Sequence, residues 1–508
     1  MDFDRLSRRR VLGALGASST IALAGCSGGD GDDGEDSEDG SDGSDGDDGS
    51  DGSDGSDGSD GSDGSDGSDG SDGGDGSDGS DGSDGDSTNQ DLSGTLRIGV
   101  LQDFSGQLAI YGAQGSAGFY SGLAHKADDD PLPADAIDEG DYDYSVGDID
   151  IEIRARDTQF APTQAQTLAS ELVSQDDVDM LYGVGNSGGA ISVINGVVDQ
   201  AEVPFIAGPA ASAEITAGEG TCRDLVFRAN ENTAMDARSG GVYIADQTDV
   251  DQIALFGADD AFGQSVVTNY RSVLENRGVT IADERAVPED LDQPEWEGLL
   301  EEAENAGAEG IVGGFTAAGL SGFFSAFLDG GYDMQLFGGF ASRLTLGVVG
   351  GALQSTLDDF SNEALQDADF GPFTTRYHWN QYDNPINDQF VESHSNTYGV
   401  VPDLFTSGAF TAASAVVQAM NEQGEVSPDA IVEGMSGMTV TDTPKGENGY
   451  TFQEYNNQAR SEMTVAPVTV TPDSQENWPA SIMPGDPIER VSADDVTIPA
   501  SEMSCDLS

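Results

Sequence analysis

Basic residues are the scarcest class in this chain. Only 19 Lys and Arg stand against 95 Asp and Glu, a formal net charge of −76 over 508 residues. A surface of that sign repels a phosphate backbone, which excludes nucleic-acid partners. Long apolar runs are missing as well. A spanning helix needs about 20 consecutive apolar residues, and none follows the N-terminal segment. Cysteine and histidine number three each. No metal or cofactor motif is present, and only His378 and His394 lie in the C-terminal half as candidate bases.

What is present begins with an address. Ser7-Arg8-Arg9-Arg10-Val11-Leu12 carries a twin arginine, and the apolar stretch from Val11 to Ala24 is too short and too rich in small residues to span. Residues 1–26 are therefore expected to be a twin-arginine export signal. Leu23-Ala24-Gly25-Cys26 closes it and resembles a lipobox, which implies lipidation at Cys26 and a cell-surface protein anchored in the membrane. The alternative is an ordinary signal with an accidental Cys. Residues 27–91 are a Ser-Asp-Gly repeat with about 24 acids and no base. Nothing apolar is available there to offset the entropy of ordering, so a disordered, extended tether is expected, with a reach on the order of 45 Å. A calcium-binding β-roll would need an apolar residue in each period, and the repeat has none. The remaining mature chain holds about 69 acids against about 15 bases. Such an acidic surface suits a salt-rich environment, as in a haloarchaeon, where a Debye length of roughly 3 Å screens the self-repulsion.

From Thr95 onward, strand-like and helix-like segments alternate. Strands are predicted over 96–101, 149–155, 180–184, 203–207, 252–257, 279–286, 310–315 and 335–339, as near-continuous apolar runs of the kind found in parallel sheets covered on both faces. Helices are predicted over 112–126, 162–174, 188–200, 233–247, 263–277, 296–306 and 317–329. The pattern gives an α/β chain with doubly wound parallel sheets, and a break near 229–234 divides it into two similar lobes. Ligands of such sheets bind beyond the carboxyl ends of the strands. The loops to inspect are 103–111, 185–189, 208–212, 258–263, 316–320 and 340–343.

Gly185-Asn186-Ser187-Gly188-Gly189 is the sharpest local signal. Its strand–turn–helix setting fits G-x-S-x-G, a nucleophile elbow, which would make Ser187 the nucleophile of a surface hydrolase. That reading needs a downstream His following a strand, and His378 and His394 both sit in polar, helix-like surroundings. A second reading is a ligand-binding hydroxyl at a helix N-terminus, where free N–H groups hold an anion. A third is a plain capping turn. Ser105, in the loop after the first strand, is read as a cap before a ligand contact.

The segments "LRIGVLQDFSGQLAIYGAQGSAGF", "LYGVGNSGGAISVINGVVDQAEVPFIAGPAASAEIT", "VFRAN", "ALFGADDAFGQSV", "GIVGGF" and "GENGYTFQEYNNQA" occur in this order between about Thr95 and Val470. Together they resemble the branched-chain amino-acid-binding proteins of ABC importers, which are type I periplasmic binding proteins. The resemblance implies two Rossmann-like lobes joined by three crossing strands and closing on a ligand. It places one lobe at 94–232 plus 376–448, the other at 233–375 plus 449–475, and a tail at 476–508. It implies that Asn186, Ser187, Ala210 and Ser212 hold a carboxylate and that Tyr111 lines the side-chain pocket. In the second lobe, positions that hold the ammonium and complete the pocket are Phe262, Phe315 and Phe340, with Asp260 a possible substitute acceptor. An amino acid, a related carboxylate or an amide is therefore the expected ligand, with permease subunits as partners, no cofactor, no enzymatic activity and a monomeric state. A ligand sensor for a chemotaxis transducer would need the same closed state. Cys222 and Cys505, the cysteines left after Cys26, are expected to pair outside the cell.

The charge balance generates a prediction. The net charge of about −54 on residues 91–508 should lower the melting temperature when salt falls from molar to millimolar. A melting temperature that ignores salt would contradict it.

Overall fold

The computed structural model describes residues 92–338, 342–357, 359–367 and 371–508. Residues 1–91, where an export signal, the lipidated Cys26 and a tether are expected, and Phe340 lie outside the described residues. Six strands build the first sheet: β1 (Ser93–Gln102), β2 (Gly140–Val146), β3 (Asp148–Asp157), β4 (Met180–Gly183), β5 (Phe205–Ala207) and β6 (Val226–Phe227). Their order is β2-β3-β1-β4-β5-β6, and only the β2–β3 pairing is antiparallel. β1 is central, with Leu96, Ile98 and Val100 toward one core and Leu101 toward the other. This two-sided burial is why it reads as an unbroken apolar run. The edge strand β2 alternates instead, with exposed Asp141 and Asp143 between half-buried tyrosines. That period-two pattern marks one wet face, and no strand is predicted there from the apolar runs.

The second sheet has β7 (Gln252–Ala258), β8 (Thr280–Val287), β9 (Gly310–Gly314) and β10 (Gln335–Gly338), all parallel, in the order β10-β9-β7-β8. Here β8 is an edge. Most of its side chains are half-buried or exposed, so it departs from the two-sided burial expected of it. Local chemistry sets the helix starts. Asp260 accepts the Gly263 N–H at 2.9 Å, and Asp292 with Glu295 forms a reciprocal capping box on the helix Gln293–Asn305. In the first lobe, the helices Ala109–Ala127 and Thr406–Gln423 pack closely because glycine faces backbone at the contact. A Cβ on Gly118 would meet the Thr406 carbonyl at 2.5 Å, and one on Gly122 the Phe410 carbonyl at 2.3 Å.

The chain leaves the first lobe after β6, returns along the strand Phe373–Thr375, and crosses again between Ala459–Ser461 and Met463–Ala466. Tyr450, Phe452 and Ala459 share the first lobe's core with Ile98 and Phe119. The last crossing therefore falls near Ser461–Met463, later than the boundary at 449 implied by the resemblance. Residues 476–508 are not a loose tail. Ile482–Pro484 pairs with Val468–Val470, and Glu489–Val491 pairs with the crossing strand Met463–Ala466. Cys222 and Cys505 are joined as a disulfide with a Cα–Cα distance of 6.2 Å, which fastens the C-terminal end to the first lobe. No described helix is long and apolar enough to cross a membrane.

At the crossings, Glu231 lies fully buried. It receives Lys445 Nζ at 2.8 Å, Tyr450 Oη at 2.6 Å and Ser461 Oγ at 2.8 Å. Burial pushes its carboxyl up, but the Lys445 ammonium and these donors outweigh burial and hold it below the ordinary range. Removing one member of such a pair strands a buried charge. Lys445→Met should cost about 3–5 kcal/mol in denaturant unfolding at molar salt. The double variant Lys445→Met/Glu231→Gln should recover part of that loss, and strictly additive losses would contradict the pairing.

Candidate functional site

The carboxyl ends of both sheets face a common cleft. It is lined by Tyr111, Phe160, Gly185, Ser187, Pro209 and Ala211 from the first lobe, by Phe262 and Thr316 from the second, and by Phe405. About 350 Å³ of empty space lies among them, counted to the open side.

One end of the cleft is polar. Ser187 is the first residue of the helix Ser187–Val193, so its N–H is one of the orphan donors of a helix N-terminus. Its Oγ accepts the Ser212 N–H at 3.1 Å, which ties the loop after β5 to the loop after β4. The Ser187 hydroxyl hydrogen remains to be donated, and the Ala211 N–H has no protein acceptor among the described residues. The turn that presents Ser187 is tight. Val184 takes φ +69°, unusual for a β-branched residue, and a Cβ on Gly185 would meet Asp103 Oδ2 at 2.2 Å. Asp103 is fully buried and accepts the Thr158 hydroxyl and the Phe160 N–H, the latter at 2.7 Å. Burial raises its pKa. This carboxyl sets Phe160 against Tyr111, with ring centroids 6.2 Å apart.

The rest of the cleft is aromatic. Phe405 meets the Tyr111 ring edge-on at 5.7 Å, and Phe262 lines the cleft from the second lobe. Tyr111 also bridges the lobes. Its Oη accepts the N–H of Ala317 at 2.8 Å, at the start of the second-lobe helix Ala317–Gly330. Burial pushes the Tyr111 phenol above its ordinary range, so it stays protonated and keeps its own hydrogen to donate. Among the described residues no acidic side chain lines the cleft. The nearby Glu289 is engaged with the Thr316 N–H and its hydroxyl, the latter at 2.7 Å.

Of the residues named from sequence, Tyr111, Ser187 and Phe262 meet in the cleft. Asn186 does not line it. Its side chain caps the helix by accepting the Gly189 N–H at 2.8 Å. Ala210 and Ser212 sit one residue to either side of the lining residue Ala211, because successive residues of the extended loop face opposite ways. Phe315 turns into the second lobe's core, 4.9 Å from Trp296 and 5.2 Å from Phe323, and Thr316 takes the cleft position for the same reason. Asp260 is spent on its helix cap. Ser105 neither caps nor reaches the cleft; its hydroxyl donates to Asp157 at 2.5 Å. Phe160 and Phe405 were missed. Phe160 follows β3, and the rule that pointed to the other loops applies there equally. Phe405 precedes a helix with no strand before it, and no such rule finds it.

The elbow reading of Ser187 lacks its base. His378 is not helical; it is buried against Trp379 and Trp478 and contacts Asn380. His394 is helical but buried, facing Ser121 at 3.4 Å. Burial lowers the pKa of both to about 3.

A cleft completed from two lobes and latched by a hydrogen bond between them defines a two-lobed receptor that closes on a small molecule. The chain belongs to the periplasmic binding protein family, whose model matches residues 95–475. No curated protein matches it by sequence. Among solved structures it is similar to a solute-binding protein of an ABC transporter from Rhodopseudomonas palustris in complex with 4-hydroxybenzoate, at 18% identity and TM-score 0.61, covering 78% of this chain and 97% of that one. An ABC-type branched-chain amino acid transporter protein from the same species is 24% identical, with TM-score 0.57 and coverage of 80% and 98%. An amino acid ABC transporter substrate-binding protein from Pseudomonas fluorescens is 16% identical, with TM-score 0.62 and coverage of 82% and 99%.

The bridge to Ala317 exists only when the lobes are together. Tyr111→Phe keeps the ring and loses the bridge, a change of about 1 kcal/mol, or roughly fivefold in affinity. Calorimetry should find this loss nearly equal for every ligand. An unchanged affinity would mean the contact plays no part in closure.

Proposed function

We propose that the protein captures a small carboxylate with a flat or branched apolar body and hands it to an ABC importer, accepting aromatic acids in preference to α-amino acids. One observation carries this. Among the described residues, the cleft pairs the free N–H groups of Ser187 and Ala211 and the Ser187 hydroxyl at one end with four aromatic side chains and no acid on its walls. A helix N-terminus suits a carboxylate. A buried ammonium needs an acceptor of matching charge, and the described walls offer none. Four rings suit a planar apolar body. Hydroxybenzoate in one similar protein supports the aromatic choice, and the amino-acid transport described for others supplies the comparison ligands. Export by the twin-arginine signal and anchoring through Cys26 would place this receptor at the cell surface, beside its permease, as a monomer. Membrane fractionation tests the anchor: Cys26→Ser protein should appear in the medium, and retention on the membrane would refute it.

Calorimetry in molar salt tests the ligand class with benzoate, hydroxybenzoates, leucine, isoleucine, valine, their deaminated acids and the matching amides. Aromatic acids should bind most tightly. Ser187→Ala removes a hydrogen bond to a charged group and should cost roughly 1.5–3 kcal/mol, about ten- to hundredfold. Phe262→Ala should weaken all ligands without altering the preference for a carboxylate. Leucine bound above every aromatic acid would overturn the aromatic choice, and parental affinity in both variants would place the site elsewhere.

A further inference from the structure

Three cationic side chains are buried where the lobes meet. Two have an acid beside them: Arg376 donates to both oxygens of Asp236, at 3.0 and 2.5 Å, and Lys445 pairs with Glu231. Arg228 is different. It has no exposed surface, and its partners are all neutral oxygens: Gln458 Oε1 at 2.6 Å from Nε, the Ser212 and Ala210 carbonyls at 2.6 and 3.3 Å from Nη1, and Thr216 Oγ1 at 2.9 Å from Nη2. Among the described residues no carboxylate forms an ion pair with it. In a chain with 95 acids this is not for want of acids. An isolated buried charge is costly, and it persists only where something offsets it. Burial, with the like charge of Arg376 second, lowers the pKa of the guanidinium to about 9, the mark of a cation without a counterion.

The place of this charge gives it a use. The two carbonyls it draws belong to Ala210 and Ser212, which flank Ala211 in the cleft wall. With the Ala210 oxygen turned toward Arg228, the next N–H in the same planar peptide, that of Ala211, points the opposite way. That N–H is without a protein acceptor among the described residues. One peptide unit separates a desolvated positive charge from the polar end of the cleft.

We propose that Arg228 is the positioning and specificity-determining residue for the ligand's negative charge: it orients the 210–212 loop and supplies, through that loop, the countercharge that makes a carboxylate preferred over its neutral analogue. The proposal rests on the carboxylate reading above. Arg228 need not touch the ligand, and a low local dielectric carries its field across the loop.

The test uses the mature chain in molar potassium chloride, with benzoate and benzamide as probes and calorimetry as the readout. The parent should prefer benzoate. Arg228→Lys keeps the charge and should keep most of the ratio. Arg228→Met should shrink the ratio about tenfold or more with the benzamide affinity nearly unchanged. Because Arg228→Met removes four hydrogen bonds and can fail to fold, Gln458→Glu carries the test independently. It sets a carboxylate at Nε while leaving Arg228 in place, at the loss of the Gln458 Nε2 donations to the carbonyls of Arg228, Asn230 and Ala459, so Arg228→Lys is measured beside it as the milder variant; Gln458→Glu should shrink the ratio in the same way. A purely architectural Arg228 would change both affinities together or neither. A folded Gln458→Glu or Arg228→Met protein with the parental ratio overturns the assignment and leaves the carboxylate reading standing. A parent that binds benzamide as tightly as benzoate, or binds neither, overturns that reading and the assignment with it.

Discussion

The two lobes hang on the buried pair of Glu231 and Lys445. Glu231 stands where the chain leaves the first lobe, and the groups that satisfy it, Tyr450, Ser461 and Lys445, come from the segments that lead back to the last crossing. An ion pair in such a place is poor at raising stability above what an apolar pair would give, but it tolerates no loss of either partner. It therefore fixes which segments meet. Cations are scarce in this chain, yet three of them are placed inside at the junction. The surface arginines, such as Arg271 beside Glu284 and Arg285 beside Glu302, are half-exposed and contribute little.

That junction lets the cleft work as two incomplete halves. The first lobe supplies the polar end, through Ser187, Ala211 and the hydroxyl-to-amide tie from Ser187 to Ser212. The second supplies Phe262 and the helix start at Ala317 that meets Tyr111. A ligand that touches both halves stabilises the closed arrangement by its differential contacts, whereas one that touches only the first would leave the equilibrium where it was. The small volume and the aromatic walls then act on shape, and the polar end acts on charge.

The fold was largely legible because strands such as β1, β4, β7 and β9 are buried on both faces and stand out as apolar runs, while β3 and β8 are wetter but still rich in β-branched residues; all eight predicted strands fall on observed ones. What escaped was structure with a weaker signature. β2 is a polar edge ribbon, and the strands after 480 are three residues each and join only by pairing to distant segments. The site was legible to the level of loops rather than side chains. Phe315 and Thr316, or Ala210 and Ala211, are neighbours that face opposite ways, and the sequence carries no mark of which one faces the cleft until the phase of the strand is known. Asn186 was drawn into the site by its neighbour Ser187, although its own chemistry is that of a helix cap. Arg228 stands in the segment VFRAN that helped carry the resemblance, but nothing there marked a role for it, since an arginine's lack of an acidic partner is visible only in three dimensions.

The proposed carboxylate ligand and a strongly anionic receptor pose an electrostatic conflict, which distance would resolve. At low ionic strength the field of the acidic surface extends tens of ångströms and would repel a carboxylate before contact. In molar salt that field dies within roughly 3 Å of the surface, so the approach of the ligand is decided by contact alone. Inside the cleft the buried groups are screened much less than those on the surface. The donors gathered at the polar end are the N–H groups of Ser187 and Ala211 and the Ser187 hydroxyl, with Arg228 behind the loop, and no acid lines the walls among the described residues; the nearest carboxyls, Asp103 and Glu289, are engaged by Thr158 and Phe160 and by Thr316. The same salt expected to keep an acidic chain folded would thus remove the long-range penalty on the proposed anionic ligand. It leaves intact the short-range attraction that would hold that ligand.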